Sequence, residues 1–154
     1  MKRFLVRVLV LWPLVLGLAA SAYGAGDDIL GAWKNEDGRA QIEIYHCDGK
    51  YCGKLSWLGR PVYPPDDPQG MAGQPRVDRE NPDPKLKGRP LLGLKIMQGF
   101  SYSGGTSWEH GEIYDPDSGK TYSCRMTLAT PVKLKIRGYL GLTLFGRTTT
   151  WTRP

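Results

Sequence analysis

The side chains best suited to chemistry are few. His46 and His110 are the only histidines among 154 residues. With a cysteine or a carboxylate beside them they would make a metal site, but neither H-x-x-x-H nor C-x-x-C spacing occurs, so no metal is expected. His46 shares a strand face with Ile42 and Ile44 and reads as a core or rim residue, while His110 sits beside Gly111 at a candidate bulge. Nucleophilic catalysis needs a base within hydrogen-bond reach of a Ser, Thr or Cys, and no G-x-S-x-G elbow is present. Asp78, Asp83 and Asp115 could do acid–base work, yet Asp83 and Asp115 each precede a proline, which is ordinary turn chemistry. Arg89 and Arg137 have the fork that grips a ligand carboxylate, although pairing with Asp or Glu is the commoner fate. The expectation is a non-enzyme with no catalytic residue and no cofactor. A meeting of Asp78, Asn81 and Arg89 at a pocket mouth is the arrangement that would reopen the enzyme reading.

Aromatic side chains are the better lead. Trp57, Phe100, Tyr102, Trp108, Tyr114, Tyr122 and Tyr139 are spread along several apparent strands. Ligand pockets are mostly apolar and aromatic with a few placed polar groups, so Trp57, Trp108, Tyr122 and Tyr139, with Arg89, are the candidate ligand-binding residues. A solid core would use the same aromatic residues. Lys133, Lys135 and Arg137 line one strand face, which a solvated outer surface explains without nucleic acid.

Those residues must be positioned by strands. Period-2 alternation marks segments 40–47, 53–58, 95–102, 107–114, 121–128 and 132–137, with shorter strands at 31–35 and 146–153. Leu55 and Trp57 fall on one face of the third. Tyr122, Cys124, Met126 and Leu128 fall inward on the sixth, and Arg147, Thr149, Trp151 and Arg153 share a face of the last. No segment has the pattern of a long amphipathic helix. Eight short strands separated by turns predict an all-β fold, a small antiparallel up-and-down barrel. Residues 59–90 break the rhythm: this 32-residue stretch holds eight of the twelve prolines. Such a loop suits an extended excursion, a lid or a flank over a barrel mouth.

The N-terminus is a targeting segment by composition. Lys2, Arg3 and Arg7 precede an apolar run from Val8 to Ala20, and small residues follow, so cleavage after Ala22 or Gly24 is expected. The run is short for a bilayer span of about 20 residues, and no second one follows. The expected product is a single domain, 25–154, in the periplasm or secreted, and not an integral membrane protein. Setting the leader aside leaves 18 basic and 15 acidic residues, so the net charge falls from +6 to +3. That is ordinary solubility charge and weak support for nucleic-acid binding. In an exported protein Cys47 and Cys52 tend to pair. A four-residue loop would oppose them, within bridging reach, whereas a two-residue Asp48-Gly49 turn would oppose Cys47 to Lys50 and prevent the bridge. The disulfide is the reading taken. Cys124 reads as a small buried residue.

An ordered series of motifs adds a family. It comprises Gly31-Ala32-Trp33, Cys47…Cys52-Gly53, Asn81-Pro82-Asp83-Pro84, Arg89-Pro90-Leu91-Leu92-Gly93-Leu94, Gly111-Glu112-Ile113-Tyr114-Asp115-Pro116, Ser118-Gly119-Lys120-Thr121-Tyr122, Arg137-Gly138-Tyr139-Leu140-Gly141 and Gly146-Arg147-Thr148. Together with the closing Trp151-Thr152-Arg153, the series resembles the bacterial secreted proteins catalogued as "domain of unknown function 2147". The resemblance implies a lipocalin-like, calycin-type barrel and brings no established activity. It also implies a structural pair, with the Trp33 ring across the closed end and Arg153 or Arg147 packed on it.

Two function classes follow. One is an envelope protein that holds a small lipophilic or amphipathic ligand, such as a fatty acid, in a barrel pocket. The other is a filled barrel that docks an envelope partner through the 59–90 loop. A large lined cavity favours the first, and an interior packed with Trp and Met favours the second.

Overall fold

The computed structural model describes residues 24–139 and 146–154; most of the expected leader lies outside them. Eight strands run β1 (Gly31–Lys34), β2 (Ala40–Cys47), β3 (Lys50–Leu58), β4 (Lys95–Gly104), β5 (Ser107–Asp115), β6 (Lys120–Thr130), β7 (Lys133–Tyr139) and β8 (Arg147–Thr152). Each pairs antiparallel with the next, and β8 returns to β1 through Lys34 and Thr152, closing an up-and-down barrel. Every segment read from alternation is a strand, because one face of each is buried and the other wet.

The β2–β3 hairpin turns on Asp48 (φ 49°) and Gly49 (φ 71°), and Cys47 faces Lys50 across it. This tight turn was expected to prevent the Cys47–Cys52 disulfide, and it does not. Cys52 pairs with Tyr45, so the two cysteines are diagonal neighbours on one face. Their Cα atoms are 5.9 Å apart, within bridging range, and the disulfide is formed. A strongly twisted two-residue hairpin brings diagonal positions together.

Two irregularities re-aim side chains. Between Gln41↔Trp57 and Ile42↔Leu55 the register slips by one residue, leaving Ser56 extra on β3, with its Oγ donating to Gln41 O at 3.2 Å. Such a bulge inverts the alternation. Leu55 is buried while Trp57 is 43% exposed, which corrects the reading that put both on one face. On β5 the register slips between Trp108 and Gly111, where His110 has φ 63°, so the suspected bulge is present.

Trp33, Phe100, Trp108, Met97, Met126 and Leu134 are fully buried and fill the half of the barrel nearest the N-terminus. Gly111 is required there, since a Cβ on it would lie 2.3 Å from the Phe100 ring. The Pro-rich loop forms two antiparallel bridges, Val62↔Pro75 and Val77↔Pro90, and one 3₁₀ turn, Pro84–Leu86, capped by Asp83.

Candidate functional site

At the closed end a 3₁₀ turn, Asp27–Ile29, crosses the barrel before β1. The Trp33 indole donates to Ile29 O at 2.7 Å, and the Arg153 guanidinium lies 3.9 Å above the ring. Arg153 also donates to Leu30 O (2.8 Å), Ala32 O (3.2 Å) and Asp28 O (2.8 Å). One side chain therefore ties the last strand to the first and to the turn that caps it. Burial lowers the pKa of Arg153. Of the two arginines considered for this role, Arg153 fills it. Nearby, His46 Nε2 and the Tyr51 hydroxyl both meet Asp27 Oδ1, at 2.8 and 3.1 Å.

The opposite end holds an open cavity of about 750 Å³ between the β1–β2 turn, the Pro-rich loop, the β5–β6 turn and β8. Ile42, Leu55, Ile96, Ile113 and Trp151 line its apolar part. Its rim is charged. Arg39 pairs with Asp37, Arg79 with Asp67 and Arg76 with Asp117. Arg60 and Arg147 also reach the rim, and among the described residues neither makes an ion pair. Arg147 projects from the same face of β8 as Thr149 and Trp151 because alternate residues share a face.

The loop is fastened over this end by buried polar groups. Asp67 accepts Arg79 Nη1 at 2.7 Å and the backbone N–H groups of Gln69 and Met71, and those donors hold its carboxyl below the ordinary range. The Tyr63 ring lies under Arg79 at 4.5 Å. Asp78, fully buried, accepts Arg89 Nε and Nη2 (both 2.8 Å) and Asn81 Nδ2 (2.7 Å) on one oxygen, and the Tyr114 hydroxyl (2.6 Å) on the other. Burial raises the Tyr114 pKa, and the hydrogen bond its hydroxyl donates to the Asp78 carboxylate pushes the same way. Asp78, Asn81 and Arg89 thus do meet, beside a smaller surface cavity of about 330 Å³ that Asn81, Arg89 and Tyr114 help to line. With both oxygens of Asp78 occupied by protein donors, the cluster works as a clamp between loop and β5.

The family model described as "Uncharacterized protein conserved in bacteria (DUF2147)" matches residues 31–153, the whole barrel. The chain belongs to this family. A search of curated proteins brings no match. Among solved structures, a Helicobacter pylori protein, HP1028, described as belonging to the lipocalin family, is similar: TM-score 0.67 and 22% identity over 81% of this chain and 82% of that one. That likeness carries the fold, a lipocalin-like barrel.

Within this DUF2147 barrel the five candidate ligand residues scatter. Trp57 faces outward. Trp108 is part of the closed-end plug, its indole donating to Gly26 O at 3.2 Å. Tyr122 and Tyr139 are half-buried and line neither cavity. Arg89 lines the smaller cavity but is spent on Asp78. The side chains that do line the large cavity were passed over, Trp151 and the loop's Tyr63 and Arg79 foremost. The alternation puts Trp151 on one face of the last strand with Arg147, without saying which way that face points; the loop residues carry no periodic signal.

Proposed function

We propose that this DUF2147 protein binds a small amphipathic anion at the open end of its barrel, and that it acts as a binder and not as a catalyst. The apolar part of the ligand lies against Ile42, Leu55, Ile96, Ile113 and Trp151. Its acidic head meets Arg147 and is within the field of Arg60. The observation that carries this reading is a cavity of ligand size with an apolar floor and an arginine that has no carboxylate partner among the described residues. A guanidinium at such a rim favours a carboxylate or phosphate head. The saturated Asp78 clamp is why the reading stays with binding.

The plug of Trp33, Phe100, Trp108, Met97 and Met126 favours, for the closed half, the filled-barrel alternative with a partner docked on the loop. Titration separates the two. Anilinonaphthalene sulfonate, an apolar body with an anionic head, should bind one to one and be displaced by long-chain carboxylates. Arg147→Gln should weaken it about tenfold, the loss of one charge-assisted hydrogen bond. Full affinity in Arg147→Gln, or no binding by the wild type, would overturn the proposal.

A further inference from the structure

The charge of this chain is segregated. All 15 acidic residues lie between Asp27 and Asp117; residues 118–154 contain seven basic residues and no Asp or Glu. The preceding stretch, 25–117, has 11 basic against those 15 acidic residues, a net of −4 against +7. The two signs are therefore not interspersed. All the ion pairs among the described residues fall in the first stretch.

Topology turns this sequence bias into a surface. β6, β7 and β8 are neighbours, and their inward positions are Cys124, Met126, Leu134, Ile136 and Trp151. The alternate positions form rows across the outer face: Arg125 opposite Arg137 and Thr148, Thr127 opposite Lys135 and Thr150, and Lys133 opposite Thr152. Arginines directly opposed across strands cost stability, so a solvated face would more economically carry mixed signs. Acids approach only its borders: on β5 Glu109 stands in the bulge opposite Arg125 and Glu112 pairs with Ser123, and Glu36 accepts the Thr150 N–H at 3.3 Å. At one end the β6–β7 turn presents Val132, 54% exposed, after Pro131.

We propose that this outer face docks the protein on an anionic lipid surface. Arg125, Lys133 and Lys135 lie over the phosphate headgroups, and the Pro131-Val132 turn touches the interface. Charge complementarity selects an anionic partner, and the opposite net charge of the remaining barrel orients the molecule face-down. The rows carry one aromatic, Tyr139 opposite Ser123, and otherwise threonines, where a nucleic-acid platform would carry several stacking rings. A three-strand outer face with one exposed apolar turn at its end suits a bilayer surface.

Co-sedimentation with vesicles tests this. The purified protein should pellet with phosphatidylglycerol-rich vesicles, remain in the supernatant with pure phosphatidylcholine, and be released by high salt. Each Lys or Arg near an anionic surface contributes about fivefold, so Arg125→Gln/Lys133→Gln/Lys135→Gln should lower binding about a hundredfold. Lys85→Gln/Lys87→Gln, on the loop, should bind as the wild type does. Near-UV circular dichroism checks the fold; if the triple variant does not fold, the single Lys135→Glu is read instead. Equal binding to both vesicle types, full binding by the β6–β7 variants, or binding to an oligonucleotide without binding to vesicles would overturn the proposal.

Discussion

Replacing Arg153 by Ala should open the closed end. Its guanidinium covers a fully buried indole at 3.9 Å and donates to three backbone carbonyls. Stacking contributes about 1 kcal/mol at a partly desolvated site. The two part-buried hydrogen bonds, to Leu30 O and Ala32 O, add ~1 kcal/mol each, and the exposed one to Asp28 O adds little. The total is about 3 kcal/mol, which at an m-value of about 1.5 kcal/mol/M lowers the urea midpoint by about 2 M. Arg153→Lys keeps the charge but not the fork, and should lose about half as much. Arg147→Ala, which breaks no ion pair among the described residues, should move stability by less than ~0.5 kcal/mol. Equilibrium unfolding of the three variants, followed by far-UV circular dichroism, decides the matter. An Arg153→Ala midpoint within error of the wild type, or an Arg147→Ala loss as large, would refute the latch.

Gly111→Ala places a methyl group 2.3 Å from the buried Phe100 ring and should destabilise by about 1–3 kcal/mol; Gly53→Ala, which meets the flexible Met97 side chain, should cost less in the same urea titration. The carboxyl of Asp67 is held below its unfolded value by Arg79, so its contribution is complete above about pH 4 and is lost as pH falls through the folded value. Asp67→Asn should therefore be less stable than the wild type at neutral pH and show a shallower loss on acidification, read as thermal midpoints between neutral and acid pH. Burial pushes the Cys124 thiol up to about 12, so a thiol reagent at mildly alkaline pH should modify it only after denaturation, at one equivalent per chain. Removing the other two cysteines together, Cys47→Ser/Cys52→Ser, should cost about 2 kcal/mol for so short a loop, checked by the same unfolding curves.

The barrel was legible because each strand has one wet and one dry face, and period-2 alternation records that directly. Trp33 and an arginine of the last strand were legible as a pair from the family resemblance, but only three dimensions could choose Arg153 over Arg147. The cavity was harder. Trp57 was misplaced because a single extra residue at Ser56 inverts the alternation, and neither Ser56 nor its neighbours announces a bulge. Trp108, Tyr122 and Tyr139 were chosen as aromatic side chains on strands, and residue type does not say at which end of a barrel a ring sits. Tyr63, Arg76 and Arg79 were missed because they belong to a loop ordered by Asp67, Asp78 and two isolated bridges, and such contacts leave no periodic trace. The disulfide is formed, but not through the four-residue loop expected to allow it: the turn has two residues, and diagonal positions in a twisted hairpin also come within reach.

The most direct test of ligand binding is native mass spectrometry of the protein purified, without denaturation, from cells expressing the full chain, followed by denaturing extraction. The expected result is a discrete small adduct on the folded protein, released on unfolding, anionic and amphipathic in character, and absent or depleted in Arg147→Gln. A clean unliganded mass, with no uptake from a panel of fatty acids and other anionic amphiphiles, would contradict it and leave the barrel as a partner-docking module.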